Sequence, residues 1–247
     1  MRFQELLDGV ETSAVMGDAE VTGVEYDSRQ VHPGDVFVAM RGEVSDGNRY
    51  IDQAVAAGAV AVVTDSASEG PRSGVAWAQV AQGRRALARL SANWLGHPAE
   101  QIAITGITGT NGKSTTAFLL DSILAAAKRK SALLGTIEYR VAGTRLPAQH
   151  TTPESLELNR ILADAVSEGA TEAVMEVSSH AMAQERVYGV PFDVAIFTNL
   201  TRDHLDFHHT FEEYFAAKAK LFDGIGTEPP RVAVINRDDE YGRQLLS

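Results

Sequence analysis

The chain has 247 residues, enough for one large or two medium domains and for a core that needs no covalent staples. Hydrophobic residues make up 44% and charged residues 22%, as in ordinary globular proteins; the lack of cysteine excludes a disulfide framework and thiol chemistry. Acidic residues outnumber basic ones 33 to 22, which argues against nucleic acid as a partner. The amino terminus has no basic-then-apolar signal pattern, and the longest apolar run, residues 54–63, is far too short for membrane insertion. The expectation is a cytoplasmic protein.

Short strands are expected at 21–26, 36–39, 59–63 and 75–80. A helix is expected over 50–57, with Ile51, Ala54 and Val55 on one face and Gly58 as its cap. Residues 65–74 read as a polar surface loop. A second helix over 84–95 carries Leu87, Leu90, Trp94 and Leu95 on one side and stops at Gly96-His97-Pro98, which places a domain boundary near 98. Beyond it, strands are expected at 102–105, 173–177, 194–197 and 232–235, with helices at 113–128, 154–168 and 211–222. Short apolar strands alternating with helices predict an α/β fold. An α/β domain over 1–98 precedes a mostly parallel sheet with helices on both faces over 99–247.

The strand at 102–105 runs into Gly106-Ile107-Thr108-Gly109-Thr110-Asn111-Gly112-Lys113-Ser114 and then a helix. In that context a glycine-rich turn with Gly-Lys-Ser is a phosphate loop: glycines bring backbone N–H groups inward, the lysine supplies a cation and the serine a hydroxyl for Mg2+. The match is not strict. Ile107 stands where the usual pattern has glycine, and Gly106 comes one residue early. The alternative is a glycine-rich strand–helix turn that binds nothing.

The form Thr108-Gly109-Thr110-Asn111-Gly112-Lys113-Ser114-Thr115 resembles the Mur ligases. Other stretches agree in order: Asp27-Ser28-Arg29 with 34–39, Thr151-Thr152-Pro153-Glu154, residues 175–181, residues 198–206, and residues 217–222. Within the family, the Thr-Thr-Pro and Glu-Val-Ser-Ser-His stretches resemble the branch that adds the third residue of the peptidoglycan stem peptide, the UDP-N-acetylmuramoyl-tripeptide synthetases. The resemblance implies a UDP-binding first domain and an ATPase domain. It also implies an ATP- and Mg2+-dependent ligase that joins a diamino acid to UDP-MurNAc-L-Ala-D-Glu through an acyl phosphate, with meso-diaminopimelate favoured over L-lysine. The full-length family protein is expected to be monomeric.

The resemblance also implies roles for single residues. Gly109, Thr110, Asn111, Gly112, Lys113, Ser114 and Thr115 would bind the nucleotide. Ser114, Glu176, His204 and Lys218 would surround Mg2+, with Lys113, His204 and Lys218 also catalytic. Lys218 would be carbamylated, and a lysine sharing a helix face with Tyr214 and Phe222 does tend to lose its proton on burial; the alternative is a snorkelling side chain. Lys220 points elsewhere, and His208 and His209 are expected at the surface. Ser28 would contact the uridine diphosphate end, beside a stretch at Glu43-Val44-Ser45. Thr151, Thr152, Ser178, Gln184 and Arg186 would contact the muramoyl peptide, Arg186 through a carboxylate. Pro153 equally suits the first turn of a helix, which would make the threonines a plain cap. Glu176 could be a solvated acid at a strand end.

Two other readings stand beside the ligase: a folylpolyglutamate-type synthetase on the same core, and a non-catalytic fragment that binds UDP-sugar peptide and ATP only. The family has a third domain that selects the amino acid. A chain stopping at Ser247 is expected to lack it, to be inactive by itself, and to leave the sheet edge at 232–235 uncovered.

Overall fold

A computed structural model describes residues 1–43 and 45–246. The chain divides into two compact units, Met1–Gly96 and His97–Ser247. Val44, in the stretch predicted to lie by the nucleotide, falls outside the described residues.

The first unit begins with α1 (Phe3–Leu6) and β1 (Thr12–Met16), followed by β2 (Gly23–Glu25) and β3 (Asp35–Ala39). Then come α2 (Ile51–Ala56), β4 (Ala61–Thr64), β5 (Ala76–Val80) and α3 (Gly83–Trp94). The sheet order is β1-β5-β4-β3-β2, parallel except for β1 against β5. β3 and β4 are buried along their whole length, which is why their sequences are continuous apolar runs without alternation. β1 is exposed at every position, and its Thr-Ser-Ala-Val-Met sequence has no in–out alternation, so it escaped sequence reading. Helix α3 turns Leu87 and Leu90 inward and leaves Trp94 and Leu95 half-buried. Within the expected surface loop, Ser66 is buried, its N–H donating to Thr64 Oγ1 at 3.0 Å.

The second unit contains β6 (Ala103–Thr108), α4 (Lys113–Ala126), β7 (Ser131–Leu134), β8 (Tyr139–Val141) and β9 (Thr144–Leu146). These are followed by α5 (Ser155–Ser167), β10 (Glu172–Glu176), α6 (Ser179–Ala183) and β11 (Val194–Phe197). The last elements are α7 (Leu205–His208), α8 (Phe211–Asp223), β12 (Val232–Ile235) and α9 (Glu240–Gln244). The seven-stranded order is β12-β11-β6-β10-β7-β8-β9; β12 through β7 are parallel, and β8 and β9 add an antiparallel edge. Both sheets are thus mostly parallel. β12 is the other edge, with Val232 and Val234 exposed.

This topology locates the site. β6 lies between β10 and β11, with Ile107 beside Glu176 and Thr108 beside Phe197. The connection leaving β6 runs toward β7 and the one leaving β11 runs the opposite way, toward β12. A crevice opens at the carboxyl ends of strands where connections diverge, and ligands of α/β sheets bind there.

Candidate functional site

The loop after β6 is built for close approach. Gly109 has φ +142°, and a Cβ there would come within 1.9 Å of Thr198 Oγ1. Gly112 enters α4 in the left-handed region at φ 87°. The loop is tied to the segment after β11: Thr110 N–H donates to Asn199 O at 2.8 Å, and Asn111 N–H to Asn199 Oδ1 at 3.0 Å. Thr198 Oγ1 donates to Asn111 O at 2.7 Å. These ties engage the Thr110 and Asn111 amides with Asn199 and fix the loop at the start of a long helix, whose N-terminal end favours an anion.

Two lysines converge on one carbonyl. Lys113 Nζ donates to Gly109 O and Thr110 O, both at 2.9 Å, and Lys218 Nζ donates to Gly109 O at 2.8 Å. Lys218 is 1% exposed, and its amine lies 4.6 Å from the centroid of the Tyr214 ring. Burial, with Lys113 close by, pushes its pKa down to about 7; burial also lowers that of Lys113. Lys220 is exposed.

Glu176 ends β10 and is 1% exposed, so it is not a solvated strand-end acid. Its Oε1 accepts from Ser114 Oγ at 2.8 Å and Thr136 N–H at 3.0 Å, and its Oε2 accepts from Thr136 Oγ1 at 3.2 Å. Gly135 makes room for it: a Cβ there would meet Glu176 Oε1 at 2.3 Å. The paired oxygens of Ser114 and Glu176 are hard donors that suit Mg2+. Among the described residues no cluster of three or more His, Asp or Glu could hold a metal by itself, so a cation here would draw most of its ligands from phosphate and water.

The histidines differ from expectation in one respect. His204 is exposed, with φ 53° and Asp203 Oδ2 3.5 Å from its Nε2; its ring packs edge-on against His180 at 4.8 Å. His208, expected at the surface, is buried at 5% exposure because α7 turns it inward against His180 and Tyr214. Burial and the neighbouring cationic groups push its pKa down to about 4, and its Nε2 has no hydrogen-bond partner among the described residues.

The alternative that made Thr151 and Thr152 a plain cap, with Pro153 in the first turn, is also corrected. Helix α5 starts at Ser155 with Glu154 as its cap, so Pro153 precedes the helix. The Thr152 hydroxyl instead donates to Glu176 O at 2.9 Å and accepts Ser178 N–H at 3.0 Å, linking two strand-end segments. Ser178 caps α6, and Thr151 Oγ1 lies 3.0 Å from Thr136 Oγ1. Arg186 is not a bare cation. Its guanidinium donates to Gln184 Oε1 and Thr152 O, and Glu154 Oε1 lies 2.9 Å from its Nε. In the first unit, the buried Ser28 hydroxyl donates to Gln53 Oε1 at 3.4 Å.

The second unit therefore brings Lys113, Ser114, Glu176 and Lys218 together, with Thr151, Thr152, Ser178 and Arg186 along the next strand ends. Sequence reading missed Thr136, Asn199 and Tyr214. Asn199 lay inside a motif stretch, and Tyr214 stood one turn before Lys218; neither carries a signature of its own.

A family model described as "Mur ligase middle domain" matches residues 107–247, and one described as "Mur ligase family, catalytic domain" matches 20–95. The chain belongs to the Mur ligase family. Within it, the chain is 51% identical to the UDP-N-acetylmuramoyl-L-alanyl-D-glutamate–2,6-diaminopimelate ligase of Solibacter usitatus, over 99% of this chain and 50% of that protein. It is 40% identical to the Clostridium tetani protein of the same name, over 100% of this chain and 50% of that one. A solved structure of such a ligase superposes with a TM-score of 0.79 at 29% identity, over all of this chain and 49% of that one. The chain thus spans about half the length of the curated Mur ligases it matches. Among its described residues no helix is long and apolar enough to cross a membrane.

Proposed function

We propose that the chain is the UDP-binding and ATP-binding portion of a cytoplasmic, monomeric ligase that joins 2,6-diaminopimelate to UDP-MurNAc-L-Ala-D-Glu. The observation that carries this reading is the convergence of Lys113, Lys218, Ser114 and Glu176 at the loop after β6. The names of the relatives supply the substrates.

In this reading the amides of residues 109–115 bind the ATP phosphates, and Lys113 leaves the Gly109 and Thr110 carbonyls for the β/γ-phosphates. Ser114 and Glu176 hold Mg2+, with His204 and Lys218 nearby. Bound there, Mg2+ neutralises charge on the phosphate oxygens. Lys218, whose burial favours the uncharged amine, can add CO2 with loss of a proton to give a carbamate. The γ-phosphoryl passes to the D-glutamate side-chain carboxylate with release of ADP, and the amine of the diamino acid then attacks the acyl carbon, forming the amide as inorganic phosphate leaves and the amine loses a proton. This is chemistry of positioning and charge compensation, which accounts for a site of donors and oxygen ligands. Thr151, Thr152, Ser178, Gln184 and Arg186 hold the muramoyl peptide, and the first unit, to about residue 98, takes the uridine end through Ser28.

The test is ATP-dependent product formation by the full-length polypeptide, compared with its Arg186→Ala variant. The variant should bind UDP-MurNAc-dipeptide about 2 kcal/mol more weakly while ADP binding is unchanged. Equal weakening of both ligands would make Arg186 structural and contradict its assignment.

A further inference from the structure

Tyr214 touches three parts of the second unit at once. It lies on α8 one turn before Lys218 and is 1% exposed. Its hydroxyl is 3.1 Å from Thr110 Oγ1, in the phosphate loop. Its ring lies beneath the Lys218 amine at 4.6 Å and packs edge-on to His204 at 6.0 Å, with His208 tilted against it at 5.2 Å.

The direction of the Tyr214–Thr110 bond follows from what else Thr110 does. Its Oγ1 accepts the Thr201 N–H at 3.0 Å and donates its single proton to Thr201 O at 3.3 Å. That leaves a lone pair for Tyr214, which therefore donates. Burial pushes the phenol pKa up, so the proton stays in place. The Thr110 hydroxyl thus joins the phosphate loop to α8 and to the segment after β11 that leads to His204.

We propose that Tyr214 is a positioning residue for phosphoryl transfer: its hydroxyl sets the phosphate loop through Thr110, and its ring seats the Lys218 amine. One side chain then fixes the loop and the lysine relative to each other. A ring face beside an amine favours a cation or a polarised N–H, and orients it without the permanent charge a carboxylate would add. The proposal rests on the nucleotide reading of the loop and adds the residue that aligns it.

The experiment uses the full-length polypeptide. ADP affinity, kcat and the KM for the UDP-MurNAc-dipeptide are measured for wild type, Tyr214→Phe, Thr110→Val and the double variant, with Lys113→Ala as control. Tyr214→Phe keeps the ring and should weaken ADP binding about threefold to tenfold, the range expected for one hydrogen bond, and lower kcat, with the dipeptide KM unchanged. The double variant should bind ADP within about twofold of Thr110→Val, since Thr110→Val already cuts the Tyr214 tie along with both Thr201 contacts and leaves Tyr214→Phe nothing further to remove. Tyr214→Leu also removes the ring and should lower kcat further than Tyr214→Phe. Additive losses, or a changed dipeptide KM with unchanged ADP affinity, would overturn the proposal. If Tyr214→Phe folds poorly, Thr110→Val cuts the same tie from the loop side, and unchanged ADP affinity in that variant is equally decisive against it. Unchanged ADP binding in Lys113→Ala would remove the nucleotide reading itself, and Tyr214 with it. With a normal loss in that control, a failure of the Tyr214 variants counts against Tyr214 alone.

Discussion

The two units are built on the same plan, a mostly parallel sheet with helices, and they use buried polar groups in opposite ways. In the first unit these groups satisfy one another. Thr64 Oγ1 donates to Asn48 Oδ1 at 2.6 Å, and Asn48 Nδ2 donates to Asp46 and Asp65, both at 2.8 Å. The shifted acids of this unit, Asp18, Asp27 and Asp46, are lowered by hydrogen bonds and arginines near the surface. In the second unit, burial pushes Lys113, Lys218 and His208 toward their uncharged forms. A buried cation with no carboxylate as its hydrogen-bond acceptor costs stability, and such costs concentrate where chemistry is done. The comparison teaches that buried polar groups hydrogen-bond one another in the first unit and that burial shifts the titration of two lysines and a histidine in the second.

The largest expected effect comes from removing a cation that the second unit needs. Lys113→Ala should weaken ADP binding by at least about 2 kcal/mol, the range for a charge-assisted contact. Isothermal titration would check it; an unchanged affinity would erase the contrast between the units.

Gly135→Ala is a finer probe of the same region. The added methyl would meet Glu176 Oε1 at 2.3 Å and displace the carboxylate from Ser114 and Thr136. Mg2+-dependent activity of the full-length polypeptide should fall roughly tenfold or more, as expected when positioning is lost by fractions of an ångström. Wild-type rates would mean that Glu176 is free to move.

Lys218 should leave a signature in pH. The unfolded amine titrates near 10.5 and the folded one near 7. Between those values the unfolded chain holds the proton and the folded chain does not. Stability therefore rises with pH across that window and is lost as pH falls toward 7, by about 1.4 kcal/mol per pH unit at most. In urea melts between pH 7 and 9, Lys218→Met should flatten that slope and be the more stable protein at pH 7. A slope unchanged by the substitution would mean that Lys218 keeps its proton in the fold.

The smallest effect on nucleotide binding belongs to the first unit. Asn48→Ala should cost about 1–3 kcal/mol by taking away the acceptor of the buried Thr64 hydroxyl proton, with no change in ADP affinity. A linked loss of ADP binding would show that the units do not divide their tasks in this way.

Much of this was legible in the sequence, and the exceptions have physical causes. β3, β4, β10 and β11 were readable because they are short apolar runs bounded by turns. β1 was not, since all of its residues are exposed and it is held by pairing with β5 alone. β8 and β9 are three residues each, too short for a period to show. In the site, Lys113, Ser114 and Glu176 stand in stretches whose chemistry needs those residue types. Lys218 could be read from its helical spacing relative to Tyr214. Thr136 and Asn199 act partly through backbone groups, which carry no residue signature. Pro153 misled because a proline before a helix and one in its first turn look alike in sequence, and His208 because four-residue α7 shows no burial pattern.

The most direct test is a crystal structure of the protein with a non-hydrolysable ATP analogue and Mg2+. The account predicts phosphate oxygens within hydrogen-bond reach of the amides of residues 109–115. Lys113 Nζ should have moved from the Gly109 carbonyl to the phosphates, and the metal should lie against Ser114 Oγ and Glu176. A nucleotide bound elsewhere, or one whose phosphates leave Lys113 on the Gly109 and Thr110 carbonyls, would contradict it.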